Sequence, residues 1–296
     1  MKTEKINNKL YSVYDIKQDY KNVYYFLKEN HFSENFISNL RKNKNFILVN
    51  DGIATTRTIL KTGDTLKICS NPNAKTSIMQ CIIPLDIVYE DNFYLIVNKP
   101  SGLACMPTQK HYTNNLAGAI CHYMQSKDSN FTLRIINRLD KDTSGLILVA
   151  KNSIAQKEVK NFSKTYYAIC CGLINEDLKI NRPILTLREN GTNLQKRIIS
   201  EKGQPAITHI HPIKTIKNNY TLLQINLQYG RTHQIRVHLS SIGHPLLGDQ
   251  LYGEFSSQIE HSALVCKEIS FFNPYIKKEM SFDIPFPKDF ANLLQL

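Results

Sequence analysis

The stretch from Arg134 to Lys151, RIINRLDKDTSGLILVAK, constrains this chain more than any other part of the sequence. Its apolar end, Leu146 to Ala150, predicts a buried strand. A dense polar turn, residues 137–145, precedes that strand and contains two carboxylates, two cations and a glycine. Polar groups at the rim of a rigid sheet are common positions for catalysis, so this turn is the leading candidate for an active site.

The same stretch, read as NRLDKDTSGLILVAK, resembles the signature HRLDxxTSGLLLxAK of the RluA-type RNA pseudouridine synthases. The resemblance implies that Asp140 is the covalent catalyst and that Arg138 stabilises the flipped nucleotide. A phosphate contact or an ion pair with Asp142 is the alternative role for Arg138. The family's histidine is replaced by Asn137, which offers one hydrogen-bond donor and one acceptor in a similar volume. We therefore expect Asn137 to serve at the RNA site with activity retained.

Two later motifs follow in the order found in this family. KTYYA, at 164–168, resembles KxYxA, which implies that Tyr166 packs near the catalytic aspartate, either as a base or stacked near the uracil. GRTHQIRVHLSSIGHPLLGDQL, at 230–251, is close to a complete family motif and implies an ion pair between Arg231 and Asp140. The local pattern predicts a helix after Thr232, its expected N-cap, so that Arg231 lies at a strand-to-helix junction.

An earlier piece, YEDNFYLIVNKPSG at 89–102, resembles the opening of the family's catalytic domain. Its apolar runs predict two strands around a turn, and residues 116–124 predict a helix. Lys99 follows the second strand, where it is a candidate RNA-backbone contact. The alternative is a solvated lysine that only shapes the loop.

Residues 1–75 carry thirteen Lys and Arg against seven Asp and Glu. They predict two helices, at 23–30 and 33–44 with Ser33 as an N-cap, followed by two strands at 46–49 and 64–68. This order resembles the S4 RNA-binding module, which implies RNA contacts by Arg41, Lys42 and Lys44. A small α+β cap without RNA contact is the alternative. Residues 70–80 are polar and aperiodic and predict a linker.

The whole chain has 296 residues and a formal net charge of +12, which favours a polyanionic partner over a neutral one, although a basic surface kept for solubility is the plainer explanation. The seven cysteines contain no CxxC pair, and no apolar run approaches membrane-spanning length. We therefore expect a monomer in the reducing cytoplasm, without a membrane partner.

His233 and His238 are five residues apart, which is unsuited to a shared metal ion on a helix, and His209 and His211 lack further ligands, so no metal is expected.

The sequence thus predicts an α+β protein with a small S4-like module at 1–75 and a catalytic domain at 81–296 built on a large, mostly antiparallel sheet. The resemblance implies an isomerase that converts uridine to pseudouridine in RNA, with ribosomal RNA favoured over tRNA. This rearrangement involves no redox change or group transfer, so no cofactor is expected. Two alternatives remain: a non-catalytic RNA-binding factor on the same fold, and a glycoside hydrolase, which would need two opposed carboxylates.

Overall fold

The structure of the chain is a computed structural model that describes residues 2–7, 9–72, 78–108, 111–125, 127, 131–188, 195–216, 219–253, 256 and 258–295. The described residues form two main sheets with a few short helices. The predicted α+β class is confirmed. The predicted linker lies partly outside the described residues, since 73–77 are not among them.

The first sheet is built by the amino-terminal residues and has the strand order β1-β2-β5-β3-β4. Its elements are β1 (Lys2–Ile6), β2 (Lys9–Asp15), α1 (Val23–Glu29), α2 (Glu34–Leu40), β3 (Ile47–Val49), β4 (Gly52–Ile53) and β5 (Thr65–Cys69). Ser33 caps α2 as predicted, because its side chain accepts a hydrogen bond of 3.2 Å from the Phe36 amide. The helix ends at Leu40, earlier than predicted, and the first two strands were not predicted at all.

The second sheet has ten strands in the described part of the chain. Eight follow the order β11-β14-β15-β10-β16-β9-β7-β6, and β8 and β17 pair with β9 and β16. They are β6 (Asp86–Glu90), β7 (Tyr94–Lys99), β8 (Arg134–Ile135), β9 (Ser144–Ala150), β10 (Lys160–Cys171), β11 (Leu178–Asn181), β14 (Ile207–Ile216), β15 (Tyr220–Gln228), β16 (Leu264–Asn273) and β17 (Lys278–Asp283). Between described strands, β9 and β16 run parallel and the other pairs are antiparallel, so the prediction of a mostly antiparallel sheet is confirmed.

The parallel contact explains a glycine of the signature motif. Cys266 on β16 lies beside Gly145 on β9, and a Cβ atom on Gly145 would meet the Cys266 carbonyl oxygen at 2.2 Å. Gly145 also has a φ of +117°, which side chains rarely tolerate. The glycine therefore lets β9 start close against β16, directly after the polar turn that carries Asp140.

A separate hairpin and four helices complete the described structure. The hairpin pairs β12 (Ile184–Arg188) with β13 (Gln195–Ile199), and the helices are α3 (Leu116–Gln125), α4 (Ser153–Glu158), α5 (Gln234–Ser240) and α6 (Lys288–Gln295). Helix α5 begins one residue later than predicted. His233, with a left-handed φ of 56°, occupies the N-cap position expected for Thr232. This exchange directs the His233 ring into the cavity described below.

Each sheet has its own apolar core. The core of the small sheet also takes in Ile154 from α4, which is fully buried there. Polar contacts reinforce this junction: the Asn71 amide donates a hydrogen bond of 3.3 Å to the Lys151 carbonyl, and the Lys157 ammonium lies 4.2 Å from the centre of the Phe32 ring. In the described ranges, no helix is long and apolar enough to cross a membrane.

Candidate active site

A cavity of about 620 Å³ opens where the signature turn meets β10 and the start of α5. The turn contributes residues 135–141 and Thr143, and the loop after β7 contributes residues 104–106. Lys164 and Tyr166 enter from β10, and residues 229–236 close the opposite side. The three catalytic candidates, Asp140, Tyr166 and Arg231, therefore line one cavity.

Asp140 lies in the turn before β9, where its carbonyl accepts a hydrogen bond of 3.2 Å from the Thr143 amide. Its side chain is 26% exposed, so the carboxylate can be reached from the cavity while its backbone is held. The backbone of Leu139 is fixed at both polar groups by Cys105, whose sulfur donates to the carbonyl at 3.0 Å and accepts from the amide at 3.3 Å. The carboxylate is therefore presented by a rigid loop.

Tyr166 is almost completely buried on β10, beside Cys266 of β16. Burial raises the pKa of the phenol well above its ordinary value, and the nearby Cys266 and Asp140 act in the same direction. The side chain therefore stays a neutral phenol around neutral pH. A neutral phenol can pack against a nucleobase or donate a hydrogen bond, but it is poorly suited to act as a general base that removes a proton.

The prediction that Lys99 contacts RNA is wrong. Its side chain is fully buried, and its ammonium donates hydrogen bonds to the carbonyls of Pro100 and Leu103 at 2.8 Å and of Lys141 at 2.9 Å. Burial lowers its pKa to about 8, against the opposing effect of neighbouring Cys105 and carboxylates. All three ammonium protons have acceptors, so Lys99 joins two loops instead of binding a ligand.

Asn137 lines the same cavity, but both polar groups of its side chain are bonded to the backbone. The side chain is buried; its amide donates to the Leu146 carbonyl at 3.0 Å and its oxygen accepts from the Leu148 amide at 2.8 Å. These two bonds tie the start of the turn to β9. The asparagine that stands in place of the family's histidine therefore holds the turn against β9.

The expected ion pair between Arg231 and Asp140, both described residues, is not formed. The Arg231 guanidinium donates a hydrogen bond of 3.1 Å to the Pro205 carbonyl and lies 5.5 Å from the centre of the Tyr229 ring. Arg138 is exposed at the cavity and forms no ion pair with Asp142, which is also described. Both arginines line the cavity.

A second arginine of the same motif, Arg236, was missed. It is buried and forms a two-point ion pair with the fully buried Asp249, in which both N···O distances are 2.7 Å. Burial disfavours its charge, but the bond to Asp249, that residue's charge and the charge of Asp140 together raise the pKa of Arg236. A fixed cation thus faces Asp140 from the cavity wall. The sequence position alone does not identify Arg236, because a residue that directly follows the inward-facing Ile235 is turned by about 100° around the helix axis.

His233, a metal-ligand candidate by sequence, lies beside Asp140 and Tyr252. Its Nε2 atom lies 4.0 Å from the Asp140 Oδ2 atom, and its Nδ1 atom lies 3.0 Å from the Tyr252 hydroxyl. Across the described ranges, no group of three or more His, Cys, Asp or Glu side chains is arranged to hold a metal ion. His238, for example, bonds to the Thr208 hydroxyl and the Arg182 carbonyl.

The cations expected in the S4-like segment lie elsewhere. Arg41, Lys42 and Lys44 are exposed at the end of α2 and just after it. Arg41 and Lys44 line a separate groove of about 600 Å³ together with Tyr24, Thr56 and Arg57. Within it, the Arg41 guanidinium lies 5.5 Å from the centre of the Tyr24 ring and bonds to Thr56 at 3.2 Å.

Comparison with known proteins gives a consistent result. The family model described as RNA pseudouridylate synthase matches residues 93–241. The chain is 37% identical over 255 residues to the uncharacterized RNA pseudouridine synthase YhcT of Bacillus subtilis (strain 168), covering 83% of each protein. It is 36% identical over 235 residues to the ribosomal large subunit pseudouridine synthase D of Zymomonas mobilis, covering 72% of this chain and 73% of the relative.

A structural comparison supports the fold. The human RNA Pseudouridylate Synthase Domain Containing 1 protein aligns with a TM-score of 0.55 at 23% identity, over 71% of this chain and 85% of the human one. The matched family residues include Asp140, Tyr166, Arg231 and Arg236, which are the groups that meet at the cavity. On this basis the chain belongs to the RNA pseudouridylate synthase family and is an isomerase that acts on RNA.

Proposed function

We propose that this enzyme converts uridine to pseudouridine in large-subunit ribosomal RNA, with Asp140 as the covalent catalyst. The observation that carries the catalytic assignment is the placement of the Asp140 carboxylate, which is 26% exposed in a cavity that also holds Tyr166, His233 and Arg236. Support for the substrate class comes from relatives named ribosomal large subunit pseudouridine synthase D, from Zymomonas mobilis and Pseudomonas aeruginosa.

The reaction breaks the bond between N1 and C1′, turns the uracil and joins C5 to C1′, after which the C5 proton is lost. A carboxylate nucleophile can hold one of the separated fragments while the base turns. Asp140 serves as that nucleophile, and the Arg236 guanidinium, held by Asp249, lines the same cavity. Tyr166, as a buried neutral phenol, packs against the uracil and helps to exclude water.

The target nucleotide must leave its stack to reach this cavity, at a cost of about a few kcal/mol. In this proposal the exposed Arg138 occupies the gap or holds the displaced strand, and Arg231 contacts the RNA backbone. Arginine suits both tasks because its planar group stacks on bases and binds phosphate oxygens at two points. We assign these two side chains to RNA binding and base flipping.

We further propose that residues 1–75 act as an S4-like RNA-binding module. Support comes from the exposed Arg41, Lys42 and Lys44 beside a groove that also holds Tyr24 and Arg57, since cations next to an aromatic ring suit an RNA strand. The test replaces those three cations by alanine and measures RNA binding against salt concentration. Each lost phosphate contact should reduce the slope of log K against log salt by about 0.7–0.9. The matched control replaces the exposed Lys277, Lys278 and Lys288, which changes the net charge equally.

The experiment that tests the substrate and the catalyst maps pseudouridine across total RNA. Cells lacking the gene are compared with cells complemented by the wild type or by Asp140→Ala. Loss of sites in large-subunit ribosomal RNA that return only with the wild type supports the proposal. Loss of tRNA sites instead would identify a tRNA-directed enzyme. If the deletion changes no pseudouridine site but impairs ribosome assembly, and Asp140→Ala corrects that defect, the protein acts as a non-catalytic RNA-binding factor.

A further inference from the structure

The pair Tyr252 and His233 connects the β12–β13 hairpin to the catalytic aspartate. The Tyr252 hydroxyl lies 3.0 Å from His233 Nδ1, and the opposite ring nitrogen, Nε2, lies 4.0 Å from Asp140 Oδ2. The two side chains pack edge to face, with ring centres 5.6 Å apart. The His233 backbone holds a left-handed φ of 56°, a conformation that is uncommon for residues other than glycine and is often kept at functional sites.

The hydrogen bonds of Tyr252 determine which nitrogen of His233 carries the proton. The Tyr252 oxygen accepts a hydrogen bond of 2.9 Å from the Arg197 amide on β13. Within the described hydrogen bonds of this hydroxyl, its own proton has one acceptor, His233 Nδ1. If Tyr252 donates to Nδ1, the neutral ring carries its proton on Nε2. That N–H then points toward the Asp140 carboxylate.

The surroundings keep His233 neutral. Burial lowers the pKa of His233, and the charges of Arg197 and Arg236 lower it further, while Asp140 and Asp249 oppose this shift. Burial likewise raises the pKa of Tyr252, which therefore remains a phenol with a proton to donate. The titratable and charged groups facing His233 are Asp140, Arg197, Arg236, Asp249 and Tyr252.

We propose that Tyr252 and His233 are positioning residues for Asp140: Tyr252 fixes the Nε2–H form of His233, and this N–H holds the carboxylate in place for attack on the uridine. The inference rests on the proposed role of Asp140 as the catalyst. The present 4.0 Å separation is longer than a hydrogen bond, and catalytic contacts commonly shorten when the substrate binds. Because the Arg197 amide completes the chain, the position of β13 also sets the orientation of His233.

The first test does not depend on activity. The full chain is labelled with ¹⁵N at histidine, and the imidazole nitrogen shifts and their proton couplings are recorded. We expect His233 in the wild type with the proton on Nε2, and a mixture of both forms in Tyr252→Phe. A wild-type ring with its proton on Nδ1 would overturn the proposal, whether or not the RNA substrate is the one proposed.

The second test measures single-turnover rates on an in vitro transcript of large-subunit ribosomal RNA containing 5-tritiated uridine, since joining C5 to C1′ releases the label. We expect Tyr252→Phe to slow release by about 10- to 100-fold, because misplacing a reacting group by about 1 Å has effects of this size. The matched control is Tyr167→Phe on β10, which removes a hydroxyl that, among the described residues, donates to Glu268 at 2.9 Å. An equal effect of both variants would contradict the positioning role.

The variant His233→Gln separates positioning from general packing. Its amide keeps an N–H donor near Asp140 but does not titrate. We expect the wild-type rate to show an inflection below pH 6.5. This inflection should be absent in His233→Gln and shifted to higher pH in Tyr252→Phe, which loses the donor that favours the neutral ring. Tyr252→Phe should have little further effect on the His233→Gln background. Additive effects and unchanged pH profiles would overturn the inference, whereas an inactive wild type with normal tautomer results would count against the proposed substrate alone.

Discussion

The ammonium group of Lys99 donates a hydrogen bond of 2.9 Å to the carbonyl of Lys141, the residue that follows Asp140. The neighbouring Ser101 hydroxyl donates to the Asp142 carbonyl at the same distance. Lys99, the last residue of β7, and Ser101, in the loop after it, therefore hold the backbone immediately after the catalytic candidate. The carbonyls of Lys141 and Asp142 cannot shift without breaking these bonds. Asp140, although it lies in a loop, is therefore held in a fixed position.

Replacing Lys99 by methionine should loosen this connection. Three carbonyl groups would lose their donor in a buried place, and we expect the free energy of unfolding to fall by about 1–3 kcal/mol. Urea denaturation of the two proteins measures this change. The control is Lys141→Met in the facing loop, whose exposed side chain should contribute little. Equal losses of stability in the two variants would argue against a linking role for Lys99.

Much of the fold follows from local sequence patterns. The continuous apolar run 146–150 became part of β9 as predicted, because burial on both faces of a strand leaves a clear pattern in the sequence. Strand β1, with the sequence KTEKI, has mostly exposed residues and so carries no such pattern. Its strand conformation comes from pairing with β2, which only the folded chain shows.

The site was predictable where a residue's role depends on its motif, and not where it depends on distant contacts. Asp140 and Tyr166 line the cavity together, as the order of the motifs implied. A lysine before Pro-Ser-Gly looks like part of a solvated turn, and the sequence does not show that the carbonyls of Leu103 and Lys141 meet at its ammonium. Choosing between Arg231 and Arg236 required knowing where α5 begins, since that decides which guanidinium faces inward.

The charge that faces Asp140 can be identified by comparing lysine replacements at the two arginines. Arg236→Lys keeps a cation but loses the two-point bond to Asp249, so we expect single-turnover tritium release to fall about 100-fold and stability by about 1–3 kcal/mol. Arg231→Lys should slow release by less than about tenfold, because a single bond to a carbonyl is lost at a more exposed position. A larger loss of rate in Arg231→Lys than in Arg236→Lys would contradict this assignment and would support the ion pair between Arg231 and Asp140 that the family resemblance implies.

Asn137 gives a test of structure against substrate contact. Asn137→Ala would leave the Leu146 carbonyl and the Leu148 amide buried without their side-chain partner, and we expect a loss of about 2–4 kcal/mol in the free energy of unfolding. Asn137→Asp should be worse, because a carboxylate beside the Leu146 carbonyl removes a donor and adds repulsion. Thermal and urea unfolding measure both variants. Full stability with lost RNA affinity would show that Asn137 contacts the substrate after all.

We expect Glu90, which does not line the cavity, to account for part of the loss of folding stability at low pH. Its carboxylate accepts hydrogen bonds from Lys151 at 2.8 Å, Lys127 at 2.9 Å and Tyr123 at 2.6 Å. Burial alone would raise its pKa, but these three bonds outweigh burial and lower the pKa from 4.5 to about 2.

Because the folded pKa is the lower one, the stabilisation from Glu90 is complete above pH 4.5 and is lost as the pH falls toward 2. We expect Glu90→Gln to unfold at lower urea than the wild type at pH 6, and the difference to narrow steadily between pH 4.5 and pH 3. The exposed Glu29→Gln serves as the control and should show no such narrowing. A difference between the wild type and Glu90→Gln that stays constant down to pH 3 would mean that the three bonds do not favour the charged carboxylate, and that Glu90 acts through packing alone.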